Sequence, residues 1–235
     1  MGLASFGSGS KGNSHLLKIG DTRILLDAGV SLKKFEDFGV TVLEIVKIDA
    51  VLITHEHQDH AKYAKELMKH AIDCYMSHGT KEALGLNHLD FRAKTIKAGE
   101  KVKIKDLTIT AFESFHDAEE PLNFLVSGQG INFVYITDTA KAPYRINNLT
   151  HIMIEANYDK NILMQNVENG KINPKLYKRI INSHLSIDGA IKFLKNNDLG
   201  KVRKIYLTHL SDANANAREF KNRVAGLTGK ETYVL

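Results

Sequence analysis

Between Thr54 and His60 the chain reads Thr-His-Glu-His-Gln-Asp-His, so three imidazoles and one carboxylate fall within six residues. Imidazole nitrogens and carboxylate oxygens are the donors that hold Zn²⁺ or a comparable divalent ion. His55 and His57, two residues apart, can face one ion from extended or loop backbone. Asp59 and His60 sit further along, on the incoming turn of a helix, and can face a second. A solvated loop with chance histidines is the plain alternative. Four donors directly after a buried strand weigh against it.

The apolar run Ala50-Val51-Leu52-Ile53 reads as that strand, within 49–54, and a helix is predicted over 59–70. Strands are also predicted at 14–19 and 22–27, joined through the turn Gly20-Asp21, and at 73–76, 107–115, 122–127, 131–137, 151–155 and 204–208. The segments 122–127 and 131–137, joined by Gly128-Gln129-Gly130, read as a second hairpin. Helical stretches are expected at 31–38, 161–168, 174–182, 187–196 and 214–224, with Pro174 at a helix start where its missing N–H costs little. Strands and helices in this order suit a layered α/β domain better than a regular βαβ repeat.

A hydrolytic two-metal site holds its ions about 3.5–4 Å apart and needs more donors than one motif supplies. Three further strands end in metal-competent side chains: His116 after 107–115, Asp138 after 131–137 and His209 after 204–208. A helix cap for Asp138 and plain polar strand ends for the histidines are the competing readings.

The 235 residues, 43% of them hydrophobic, can bury a substantial core, and one domain over 1–235 is the simplest division. Cys74 is the single cysteine, so no internal disulfide can form, and it reads as a small core filler. No apolar run approaches the roughly 20 residues that span a bilayer, and the N-terminus lacks the pattern of an export signal. A cytoplasmic location is therefore expected, with no membrane partner. The formal charge of +5 favours an anionic partner such as nucleic acid without deciding for one.

The series His55-x-His57-x-Asp59-His60, then His116, Asp138 and His209, resembles the ligand series of the metallo-β-lactamase superfamily. Asp27, closing Ile24-Leu25-Leu26-Asp27, matches the aspartate that precedes the histidine cluster there. The opening Gly7-Ser8-Gly9-Ser10-Lys11-Gly12-Asn13-Ser14, the stretch Glu155-Ala156-Asn157-Tyr158-Asp159 and Ser183-His184-Leu185-Ser186 are similar to the subgroup of small WalJ (YycJ)-type DNA exonucleases. Two details depart from it. Ala156 and Tyr158 stand where the subgroup tends to have Ser and His, and Ser183 stands where it tends to have Gly.

The resemblance implies a four-layer αββα sandwich holding two divalent metal ions, Zn²⁺ or Mn²⁺ with Fe²⁺ as a further candidate. His55, His57 and His116 would hold the first ion, Asp59, His60 and His209 the second, with Asp138 shared and Asp27 orienting a ligand histidine. Asp59 and His184 are the expected catalytic side chains, His184 as proton donor to the leaving group. The implied activity is phosphodiester hydrolysis of nucleic acid by metal-activated hydroxide, most simply by a 5′-to-3′ DNA exonuclease, with DNA favoured over RNA. A small-molecule ester, thioester or lactone hydrolase is the enzymatic rival. A metal-stabilised nucleic-acid-binding module without catalysis is the rival from another class.

Around the expected site, Ser8, Ser10 and Asn13 could cradle a phosphate on a loop of small residues, and Asn157 and Asp159 could line the same cleft. Lys171, Lys175, Lys178 and Arg179 are placed to steer a polyanion. The lysines at 97, 101, 103 and 105 read as the solvated face of a β segment. His15, His70, His78, His88 and His151 read as surface or core-edge residues.

Overall fold

A computed structural model describes residues 1–86 and 91–235, apart from the side chain of Val42; His88 thus lies outside the described residues. The chain divides into two compact units, residues 1–113 with 118–131 and residues 114–117 with 132–235.

The first unit opens with β1 (Gly2–Gly7), β2 (Ser14–Ile19) and β3 (Thr22–Leu26), followed by α1 (Leu32–Glu36) and α2 (Val42–Ile45). After β4 (Ala50–Leu52) come α3 (Gln58–Ala61), α4 (Ala64–Lys69), β5 (Cys74–Met76), α5 (His78–Ala83) and β6 (Ala93–Thr95). One sheet orders its strands β1 through β6, antiparallel among the first three and parallel thereafter. The Gly20-Asp21 turn is observed, with Ile19 opposite Thr22 and Gly20 in the left-handed region at φ 57°. β7 (Lys101–Ile104), β8 (Leu107–Glu113) and β9 (Leu122–Gly128) add an antiparallel ladder. Continuous apolar sequence makes β4 a strand buried on both faces, and Val51 and Ile53 join Leu25, Phe35, Leu67 and Met76 in the core.

The helix predicted over 59–70 is two short helices instead. The Tyr63 N–H leaves the helical ladder to bond the Ala28 carbonyl at 2.9 Å, which breaks the chain between α3 and α4. Strands β1, β6 and β7 are short or carry weak alternation, and the predicted elements omit them.

In the second unit β10 (Ile131–Ile136), β11 (His151–Glu155), β12 (Lys204–Thr208) and β13 (Glu231–Val234) pair in parallel. The helices are α6 (Lys160–Glu168), α7 (Pro174–Ser183), α8 (Ile187–Asn196) and α9 (Ala217–Thr228). Each begins at a polar cap: Asp159, Asn173, Ser186 and Asn216 accept hydrogen bonds from the first-turn N–H groups. The register places Ile136 beside Ile154 and Glu155 beside Thr208, so consecutive strands stop level with one another. Side chains just past such carboxyl ends share one edge of the sheet, where α/β folds place their ligands.

Candidate metal centre

In the first unit, β3 and β4 deliver Asp27 and the histidine cluster. Asp27 lies directly after β3, fully buried, with its backbone in the left-handed region at φ 59°. Such a conformation costs a non-glycine residue free energy, and residues held this way cluster at functional sites. The Asp27 carboxylate accepts the Thr54 N–H at 2.8 Å and the Thr54 hydroxyl at 2.9 Å, and its other oxygen lies 2.8 Å from His60 Nδ1. That last bond puts the His60 proton on Nδ1 and leaves the lone pair on Nε2, which faces Asn13 Nδ2 at 3.0 Å and Asp59 Oδ2 at 3.5 Å. His55 Nε2 and His57 Nδ1 are 3.0 Å apart.

Asn13 and Gly29 set the backbone beneath this cluster. Asn13 is fully buried, and besides His60 Nε2 its side-chain amide meets Gly9 N, Gly9 O and the Asp59 carbonyl. Asn13 thus braces the opening loop against the helix start that carries Asp59 and His60. Ser10 is exposed and Ser8 partly buried. At Gly29 an added Cβ would lie 1.7 Å from the Asp59 carbonyl oxygen, so only glycine permits the approach.

The second unit gathers its donors from distant stretches of chain. His116 is held by Nδ1–H donation to the Ser183 carbonyl at 2.7 Å, so its Nε2 carries the lone pair. That lone pair faces Asp138 Oδ2 at 3.5 Å and Asp117 Oδ1 at 3.3 Å. Asp138 and His209 follow β10 and β12, both buried and both left-handed, at φ 41° and φ 56°. His209 Nδ1 lies 3.0 Å from Asp138 Oδ1 and 3.0 Å from Glu155 Oε1. Donor atoms of Asp138, Glu155, His184 and His209 all fall within 4.8 Å of one another.

Glu155 is the residue the sequence reading passed over as a site residue. It ends β11, fully buried, and one oxygen accepts both the Thr139 N–H at 3.0 Å and the Leu185 N–H at 2.9 Å. The other lies 2.8 Å from His184 Nδ1. The signal that marks Asp138 and His209, a polar group at the end of an apolar strand, marks Glu155 as well. His184 itself is the extended residue between α7 and α8, φ −130° and ψ 152°, and the cap at Ser186 restarts the helix just beyond it. Two back-to-back helices therefore aim one imidazole.

The charges agree with this packing. Burial pulls the His184 pKa down, but the Glu155 carboxylate and its hydrogen bond outweigh it and hold the imidazole above its ordinary value. Burial pushes the Glu155 carboxyl up, yet His184 and the hydrogen bonds to His184 and His209 bring it below the ordinary range. At His116 burial dominates over the Asp138 charge, so its pKa falls and the neutral, ligating form is favoured.

Asn157 and Asp159, expected along a substrate cleft, both make bonds within the protein. The Asn157 amide donates to the His209 carbonyl at 2.9 Å, holding that residue in its left-handed turn. Asp159 caps α6 and pairs with Arg223 at 3.1 Å. Arg179 pairs with Asp117 at 2.9 Å rather than standing free to steer a polyanion. His15 is buried against Ser5, and His151 is buried too, its pKa lowered to about 4 by burial and by Arg203. His70 and His78 are exposed. Cys74 is buried, which with Asp73 pushes its thiol up to about 12, as suits a core residue.

A lone pair aimed at a carboxylate oxygen is repulsive unless a cation lies between them. His60 Nε2 against Asp59 in one unit and His116 Nε2 against Asp138 in the other both have that form. The residues present therefore fit divalent metal ions, by donor chemistry and by arrangement.

Residues 22–210 match the family model described as the beta-lactamase superfamily domain, and the chain belongs to that superfamily. It is a metal-dependent hydrolase of the metallo-β-lactamase fold, the two-sheet α/β sandwich expected from the sequence. The chain is 34% identical over 222 residues to exodeoxyribonuclease WalJ of Streptococcus pneumoniae, covering 88% of this chain and 80% of that protein. It is 28% identical over 217 residues to exodeoxyribonuclease YycJ of Bacillus anthracis, covering 87% and 80% respectively. Among solved structures, the metallo-β-lactamase fold protein YhfI from Bacillus subtilis aligns with TM-score 0.72 at 16% identity, over 99% of this chain and 95% of that one. Among the described residues no helix is long and apolar enough to cross a membrane.

Proposed function

We propose that the chain is a dinuclear metal-dependent phosphodiesterase acting on DNA as a cytoplasmic exonuclease. In this reading the two units work as a single domain. His55, His57 and His116 hold one ion, Asp59, His60 and His209 the other, and Asp138 is shared. Zn²⁺ and Mn²⁺ both suit such a donor set. Bound there, the metals would polarise the phosphodiester and acidify water at neutral pH.

The chain's own residues supply the rest. Asp27 fixes the His60 tautomer and the Ser183 carbonyl fixes that of His116, so each presents Nε2. The observation that carries the nuclease reading is the pair His184 and Glu155, 2.8 Å apart. An alkoxide leaving from a phosphodiester needs a proton, and Glu155 keeps His184 charged enough to give it. The likeness to two exodeoxyribonucleases over most of the chain supports DNA as the substrate.

The test is purified protein with Mn²⁺ or Zn²⁺ on end-labelled DNA, RNA and a thioester panel, with metal content measured in parallel. Release of mononucleotides from DNA is expected, together with about two ions per chain. His57→Ala and Asp138→Asn should lose both activity and metal. Turnover of thioester alone, or DNA retention without product, would overturn the reading.

A further inference from the structure

The second unit contains a cleft of about 800 Å³, within the usual range for ligand pockets. Three short stretches form one wall, each running on from a residue of the candidate metal centre. Ala140 and Lys141 follow Asp138, Tyr158 follows Asn157, and Leu185 and Ser186 follow His184. These stretches are tied together at the backbone: Asn157 N–H bonds Leu185 O at 2.8 Å, and Ile187 N–H bonds Tyr158 O at 2.9 Å.

The two sides of the cleft differ in chemistry. Met164, Tyr177 and Ile181 present apolar and aromatic surface from α6 and α7, with Leu163 buried beneath them. Lys141, Arg145, Lys160 and Lys192 stand exposed around the opening. Lys141 lies over the Phe115 ring at 4.1 Å, and among the described residues no carboxylate pairs with Arg145, Lys160 or Lys192. The one acid in the lining, Asp188, is engaged by Arg223. Uncompensated cations around an apolar, aromatic slot match a ligand that is anionic along its backbone and flat in its side groups.

We infer that this cleft binds the single-stranded DNA running up to the scissile phosphate, bases against Met164, Tyr177 and Ile181 and phosphates on Arg145, Lys160 and Lys192. The inference rests on the nuclease reading and adds to it a position for the strand. Stacking and backbone charge serve any base, so binding is tolerant of sequence.

The test is a reversal, Lys160→Glu with Lys192→Glu, in the metal-loaded protein. Its KM for a short single-stranded DNA should rise at least tenfold with kcat nearly kept. The salt dependence of binding to metal-stripped protein should flatten by about 0.7 in slope per phosphate contact removed. Tyr177→Ala should raise KM without changing the salt slope. Lys33→Glu, a reversal on α1, should change neither. If the wild-type protein degrades DNA and the reversal leaves KM and slope unmoved, the cleft assignment fails alone. If the wild-type protein degrades no DNA, the nuclease reading and this assignment fall together.

Discussion

The two units build their donor sets in opposite ways. The first takes four donors from one stretch, His55 to His60, and stiffens it from behind with Asp27, Thr54 and Asn13. The second takes His116, Asp138, Glu155, His184 and His209 from five places, and the buried Glu155 carboxylate ties His184 and His209 together. A contiguous cluster needs only a correct loop, whereas a dispersed one needs several strands to end in register. The first is thus sensitive to its local backbone, and the second to Glu155.

The strongest way to break the comparison is at Glu155. Glu155→Ala would leave the Thr139 and Leu185 N–H groups and His184 without their shared acceptor. Buried donors stranded in this way cost about 1–3 kcal/mol each, so large destabilisation is expected in urea titrations. Glu155→Gln keeps the shape and removes the charge. Burial then acts on His184 with only the Asp138 charge against it, its pKa falls, and the alkaline limb of the kcat profile should move to lower pH. A roughly 10–100-fold loss of activity is expected, and an unmoved limb would remove His184 from the role of acid.

The same pair has a signature in stability, read on metal-stripped protein. Glu155 is depressed from 4.5, so its contribution is present above that value and lost as pH falls through the lower folded pKa. His184 is raised from 6.5, so its contribution is present below that value and lost as pH rises through the higher folded pKa. Stability should therefore decline on both sides of a plateau between these values, and Glu155→Gln should flatten both slopes.

In the first unit the matching change is Asp27→Asn. The Asn amide would turn an N–H toward His60 Nδ1, favouring the tautomer with its proton on Nε2, the nitrogen offered to the ion. The same reversal of tautomer is the known cost of replacing the aspartate in a serine-protease triad. Metal affinity should fall roughly 10–100-fold by calorimetry, with thermal stability of the metal-free protein changed far less. Equal losses in both would make Asp27 a folding residue only.

How much of this was legible follows the same division. The contiguous cluster announces itself by residue type and spacing, and the strand before it by four apolar residues. His116, Asp138 and His209 needed the rule that sheets offer their strand ends. Glu155 obeys that rule but sits within its strand's last position, so it reads as strand rather than as site. Asn13 and Asn157 read as substrate contacts because polar side chains near a site invite that reading. Their burial and backbone partners, which no sequence pattern specifies, are what the structure adds. The single helix predicted over 59–70 failed for a similar reason, since the bond from Tyr63 to Ala28 is tertiary.

Backbone sensitivity in the first unit can be tested at Gly29, where the closeness of the Asp59 carbonyl, not φ, requires glycine. A methyl group there would overlap the Asp59 carbonyl, and relief requires the α3 turn to move. A loss of about 1–3 kcal/mol is expected for Gly29→Ala, with weakened metal binding because the displaced residue is a proposed ligand. Gly226 has nothing within 4 Å of an added Cβ, so Gly226→Ala in α9 should be neutral or mildly stabilising.

The smallest effects should separate the two asparagines. Asn13 makes three side-chain bonds to the backbone of the first unit, while Asn157 makes one to the His209 carbonyl and lies 3.3 Å from its ring. Each net bond is worth about 1 kcal/mol, so Asn13→Ala should lower the urea midpoint more than Asn157→Ala. Activity should rank the other way. Asn157 holds the left-handed turn that sets the His209 ring, and the second unit has no loop cluster to compensate for a shifted ligand. If both variants lose stability and activity in the same proportion, the distinction between a locally braced set and a register-built one does not hold.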